Sequence, residues 1–184
     1  TDLSSIFQTL LPAGNNYYVQ AENLGENSTP ILITQSEFMR RYREMSSMGG
    51  GMNFYGEMPE SYNIVVNMEH PLIKRVLEAK GAATADRVTA WDATHAELKG
   101  AVAKIDEANK DKKYDEISTA DKDEKERLNK ELETLAGIRK EAMEEFAKGN
   151  TLLKQVTDLA LLANNMLKGK ELSDFIKRST EVLM

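Results

Sequence analysis

The sequence predicts an α+β fold: a small sheet of about three strands flanked by helices, with an inserted long antiparallel helical hairpin and two apolar helices at the C-terminal end. Three short strand-like stretches stand before residue 68, two with the two-residue alternation of a half-buried strand and one a short apolar run. Heptad spacing then dominates the middle of the chain, and the last two helical segments are apolar over wide faces.

Leu3, Ile6, Phe7, Leu10 and Leu11 recur at helical spacing, and Pro12 ends that first helix. "YYVQAEN" alternates Tyr17, Val19 and Ala21 with Tyr18, Gln20 and Glu22, and "PILIT" reads as a short apolar strand opened by Pro30. The intervening "LGENST" is a turn. Helical spacing returns at Phe38, Met39, Tyr42 and Met45, with Thr34 or Ser36 as a candidate N-cap. Met48, Gly49, Gly50, Gly51 and Met52 end it. "SYNIVVN" sets Tyr62, Ile64 and Val66 against Asn63, Val65 and Asn67. It leads through Glu69-His70-Pro71 to an apolar face at Leu72, Ile73, Val76 and Leu77.

From Ala82 onward almost everything is helical. Val88, Trp91, His95, Leu98, Val102 and Ile105 form one heptad seam, and Leu128, Leu132, Leu135, Ile138, Ala142 and Phe146 form a second. Joined by the polar stretch 109–124, they predict an antiparallel hairpin with arms of roughly 25 residues, about 35–40 Å long. Gly149-Asn150 break the pattern. The next helix carries Leu152, Val156, Leu159, Ala163 and Met166, flanked by Ala160, Leu162 and Leu167, and Lys168-Gly169 is expected to stop it. The last carries Leu172, Phe175, Ile176, Ser179, Val182 and Leu183. A helix apolar over more than a third of its circumference needs a second cover, so these two helices predict an intermolecular four-helix bundle in a homodimer.

The chain has 184 residues, a net charge of -6 and a hydrophobic share of 41%, as expected of one domain or of one domain with an appendage. With no cysteine there is no disulfide framework, thiolate metal site or cysteine nucleophile. No apolar run approaches the ~20 residues of a membrane span, and no basic-then-apolar leader opens the chain, so a cytoplasmic protein without a membrane partner is expected. It starts at Thr1, directly on a helix, which reads as a piece of a longer chain. The acidic balance argues against nucleic-acid binding, because runs such as Arg40-Arg41 and Lys110 to Lys113 are interrupted by acids.

His70, at a strand-to-helix junction, is the candidate catalytic residue, yet no nucleophile, base or ligand partner accompanies it. No G-x-S-x-G, H-E-x-x-H or phosphate-loop motif occurs. His70-Pro71 therefore reads as a helix start, and no catalytic residue is expected. His95 reads as a seam residue rather than a metal ligand, and no metal is expected. Asn27-Ser28-Thr29 matches a glycosylation acceptor by pattern and reads as a turn. Gly49 to Gly51 follow a helix end, where the macrodipole repels anions, so they read as a joint rather than a phosphate cradle. Around that joint Met39, Met45, Met48, Met52 and Met58 stand among Phe38, Tyr42, Phe54 and Tyr55. Such a cluster either fills core or forms an exposed, adaptable binding surface.

"QSEFMRR", "MNFYGEMPESYNIVVNMEHPLIKRVL" and "DLALLANNMLKGKELSDFIKRSTEVL" resemble the C-terminal domain of the ninety-kilodalton heat-shock protein chaperones, of the bacterial HtpG type. "TLLP" and "VQAENL" resemble the segment that joins this domain to the preceding one. The resemblance covers residues 1–81 and 150–184; residues 82–149 depart from it, so the hairpin reads as an insertion. It implies a dimerisation and client-binding domain of an ATP-dependent chaperone, with unfolded or partly folded proteins as clients. Its ATP and Mg would bind an N-terminal domain absent from this chain, which itself would hold no cofactor and hydrolyse nothing. The client-contacting residues implied are Phe38, Met39, Tyr42, Met45 and Met48, with Met52, Phe54 and Tyr55. The implied dimer interface comprises Leu159, Leu161, Leu162, Ala163, Met166, Leu167, Leu172, Phe175, Ile176, Ser179, Val182 and Leu183. An alternative makes the domain an interaction platform whose hairpin recruits a partner.

Overall fold

A computed structural model describes residues 2–37, 40, 41 and 60–183, without the side chains of Val182 and Leu183. The order is α1 (Asp2–Gln8), β1 (Asn16–Glu22), β2 (Ile31–Gln35), β3 (Ser61–Asn67), α2 (Pro71–Asn109), a 3-10 turn (Tyr114–Glu116), α3 (Thr119–Gly149), α4 (Thr151–Ala163) and α5 (Gly169–Leu183). The chain is α+β. It divides into a sheet unit, Thr1–Ala79 with Glu144–Met184, and a hairpin unit, Lys80–Met143.

The sheet has the order β1-β3-β2, with β1 parallel and β2 antiparallel to β3. Val19 and Ile33 both face Ile64 in register, so one apolar row crosses all three strands. Tyr17 faces Tyr62, and their rings stack with centroids 5.8 Å apart. In β2, Ile31 and Ile33 are buried while Leu32 and Thr34 are exposed, as alternation requires. β3 departs from that rule: Ile64, Val65, Val66 and Asn67 are all buried, because a central strand is covered on both faces. Ala21, near the end of edge strand β1, is exposed instead of joining Tyr17 and Val19. Ile6 and Phe7 of α1, Ile73 and Val76 of α2, Ala147 of α3, and Leu153, Val156, Ala160 and Leu161 of α4 join the buried apolar set with Leu167 and Phe175. α4 packs on β2 and on α5.

The hairpin unit is antiparallel, and its own pairings show it. Arg139 Nη1 donates to Asp92 Oδ1 at 2.6 Å, and Lys125 pairs with Asp106. As one partner's number rises from 92 to 106, the other's falls from 139 to 125. Thr84, Trp91 and Asn109 of α2 and Leu128, Ala142 and Met143 of α3 are buried. Ser118 caps α3, its Oγ accepting from Asp121 N at 3.1 Å. At the turn, Lys122 Nζ stands 4.3 Å from the centroid of the exposed Tyr114 ring.

Three readings of the heptads and helix ends are corrected. His95 is exposed, so the α2 seam passes through Thr84, Trp91, Leu98 and Ile105 with a gap at His95. Ile138 is 49% exposed, and Arg139 takes its seam place, half-buried by its aliphatic stem with its guanidinium on Asp92. α4 stops before Lys168-Gly169. Asn165 adopts φ 55°, Met166 N donates to Leu161 O at 2.8 Å and Asn165 N to Leu162 O at 3.0 Å, a Schellman end closed by asparagine. Gly169, at φ 58°, instead opens α5.

Candidate functional site

The predicted client-contacting residues Phe38, Met39, Tyr42, Met45, Met48, Met52, Phe54 and Tyr55 lie outside the described residues. Beside them, Arg40 N donates to Ser36 O at 3.1 Å and Arg41 Nη2 to Glu37 Oε1 at 2.5 Å, so Ser36 stands at the start of a helical turn.

The strand-to-helix junction is described in full, and its polar groups serve the fold. Asn67 is wholly buried. Its Oδ1 accepts from Leu24 N at 3.1 Å and Glu69 N at 3.2 Å, and its Nδ2 donates to Gly25 O at 2.8 Å and Thr29 O at 3.3 Å. Glu69 Oε2 accepts from Gly25 N at 2.7 Å. Gly25 sits at φ 87°, a left-handed turn that places both its backbone groups on these side chains. His70 is the N-cap of α2: its Nδ1 accepts from Leu72 N at 3.1 Å, while Pro71, which has no N–H to satisfy, occupies the first helical position. Among the described residues no group of three or more His, Asp or Glu side chains is placed to hold a metal.

The C-terminal helices separate into two faces. Leu161 and Leu167 are buried in the chain's own core, and Phe175 is 9% exposed. Leu159, Leu162 and Ile176 are exposed at 48%, 36% and 53%, as is Ala163, while Leu152, Met166, Leu172 and Ser179 are half-buried. Val182 lies on α5 with Leu183, their side chains outside the described residues. Leu159, Leu162 and Ala163 form a second apolar stripe on α4, opposite in part to the one that meets β2.

A polar cluster between α4 and α5 escaped the sequence reading. Arg178 forms an ion pair with Asp158, and both side chains are largely buried. Arg178 Nε also donates to Gln155 Oε1 at 3.4 Å, Gln155 Nε2 to Ser179 Oγ at 2.5 Å, and Ser179 Oγ to Phe175 O at 2.9 Å. Burial pushes the Asp158 carboxyl above its ordinary range, against the opposing pull of Arg178. Asp174, half-buried, is held low by its hydrogen bond from Lys170. The available signal was Gln155 and Asp158 at i, i+3 in a largely apolar helix.

The chain is 39% identical over 183 residues to the chaperone protein HtpG of Bacteroides thetaiotaomicron, 41% over 183 to that of Porphyromonas gingivalis and 40% over 188 to that of Bacteroides fragilis. Each match takes in 98% of this chain. The chain belongs to the HtpG chaperone family. It spans about a quarter of the length of the HtpG relatives it matches, 27% in each case. Matches of that coverage run through residues 80–143, so these HtpG relatives align across the hairpin as well as the sheet unit. No protein-family model and no solved structure matches the chain. Among the described residues no helix is long and apolar enough to cross a membrane.

Proposed function

We propose that this chain is the C-terminal dimerisation domain of an HtpG chaperone and supplies part of its client-binding surface. The observation that carries the dimer is the exposed trio Leu159, Leu162 and Ile176 on two adjacent helices whose other faces are already buried. A second copy of the same pair of helices covers such a surface by two-fold symmetry. The quarter-length match to HtpG chaperones supports a domain of a longer protein. On this reading ATP and Mg bind elsewhere in that protein. A permanent dimer then raises the effective concentration of the distant ATPase domains, so that their nucleotide-driven contact becomes nearly intramolecular. Clients meet the Met-rich segment 38–58, whose adaptable apolar side chains favour weak and broad binding. The reading implies a cytoplasmic homodimer.

Sedimentation equilibrium over a wide concentration range tests the dimer. Leu159→Asp with Ile176→Asp should raise the dissociation constant about 100-fold or more, a loss of at least ~2.7 kcal/mol, because each places a carboxylate in an apolar interface. These sites are the informative ones. Leu161→Asp would break the protomer itself, since Leu161 is 1% exposed. An intact dimer in the double variant would remove α4 and α5 from the interface. Met39→Ser with Met45→Ser should weaken capture of an unfolded client without changing the dimer, and unchanged affinity would return those residues to a packing role.

A further inference from the structure

We infer that the polar cluster Gln155, Asp158, Arg178 and Ser179 is a positioning device that fixes α5 on α4 and so sets the shape of the self-association surface; this rests on the dimer proposed above. The two helices pack on one another, with Phe175 of α5 buried, and are joined across their contact by this cluster. Apolar packing alone tolerates a range of helix crossings, because dispersion and burial are non-directional. The cluster is directional. Arg178 directs one nitrogen at Asp158 Oδ2 and another at Gln155 Oε1, and Gln155 returns a hydrogen bond from its Nε2 to Ser179 Oγ, one residue further along α5. Three cross-helix bonds on adjacent turns fix both the rotation of α5 about its axis and its translation along α4.

The consequence reaches the surface through the helix repeat. Leu159 follows Asp158 by one residue, Leu162 by four, and Ile176 precedes Arg178 by two. A rotation of α5 that broke the Arg178 fork would swing Ile176 by the same angle and change its orientation relative to Leu159 and Leu162 on α4. A buried ion pair is a poor device for stability, because desolvation offsets most of its attraction. Setting one geometry out of several is the role for which such a pair is best suited.

The test is Asp158→Leu combined with Arg178→Met, in the full chain. Removing both charges together leaves neither buried alone, so urea unfolding at a concentration where the protein is monomeric should show stability equal to or above that of the wild type. The dimer dissociation constant, measured by sedimentation, should nevertheless rise about tenfold, with a broader distribution of oligomers. A folded double variant that dimerises within about twofold of wild type would overturn the inference. If the double variant does not fold, Gln155→Ala with Ser179→Ala removes the flanking bonds without touching the charges. It should weaken the dimer by about three- to fivefold, and wild-type affinity would overturn the inference equally. A wild-type chain that stays monomeric at every concentration fails the dimer reading and this inference together, whereas a wild-type dimer with unaffected variants fails this inference alone.

Discussion

Asn67 makes four hydrogen bonds with one side chain while no part of it reaches solvent. Replacing it with alanine leaves Leu24 N, Gly25 O, Thr29 O and Glu69 N without those partners, and buried orphans are costly at about 1–3 kcal/mol each. With some rehydration of the loop, Asn67→Ala should lower unfolding free energy by roughly 3–5 kcal/mol in urea titration. His70→Ala should remove only a cap, about 0.5–2 kcal/mol, and His70→Ser should recover most of it, as a side-chain acceptor at that position would. Arg178→Met alone is the third case at this scale. It leaves Asp158 buried without its partner, and should cost about 2–4 kcal/mol at pH 7, since Arg178 keeps 18% of its side chain exposed. The sign with pH follows from the raised Asp158 carboxyl. The folded state holds the proton more tightly than the unfolded chain, so stability falls as pH rises from the ordinary aspartate range through the folded value. Removing Arg178 raises that carboxyl further, with only Lys154 left to oppose burial and Glu171 adding to it. The penalty of Arg178→Met should therefore shrink as pH is lowered toward 4, when measured by urea unfolding against wild type at each pH.

Helix ends show which local signals decide an element and which are overridden. Both Asn165 and Gly169 carry positive φ, and the sequence rule that favours glycine as a stop pointed to the second. Asn164-Asn165 closes α4 first because the Met166 N–H then reaches Leu161 O and sends Leu167 into the core. Asn165→Ala should cost about 1–2 kcal/mol, the penalty of a Cβ residue in the left-handed region, whereas Asn165→Gly should be nearly neutral; thermal midpoints would separate them. The strands were legible because β-branched residues coincide with two-residue alternation at Ile64 and Val66 and with a short apolar run at Ile31 and Ile33. The hairpin was legible because heptads persist over four turns or more, but its seam was displaced at two points. An isoleucine reads as core by hydrophobicity, yet Ile138 lies one residue off a seam that Arg139 enters by its stem. His95 has the right spacing and remains exposed. The Asp158–Arg178 pair was illegible for a simpler reason: the two residues are twenty positions apart, and only the fold brings them together.

At the scale of the whole chain, the sequence divides its parts at 82 and 149, while the packing divides them at 80 and 143. The difference is not a matter of labels, because Phe146 and Ala147 fall between the two boundaries and Ala147 is fully buried as a member of the sheet unit. α3 therefore carries seam residues such as Leu128 and Leu135 in one unit and core residues in the other. We propose that the hairpin is a separable module, either an insertion into an older dimerisation domain or a platform for a partner of its own. Each unit has buried side chains of its own, and mutations far from the 79/80 and 143/144 boundaries should add across the two units within about 0.5 kcal/mol. Replacing residues 80–143 with a short Gly-Ser linker should leave the sheet unit folded and its dimerisation constant within about threefold of the full chain, by circular dichroism and sedimentation. Replacing residues 82–149 removes Ala147 and Phe146 as well, and should cost a further ~2–4 kcal/mol of stability through the cavity they leave. If the shorter deletion instead abolishes dimerisation while the protein stays folded, the hairpin takes part in self-association, and the exposed trio on α4 and α5 is not the whole of the interface.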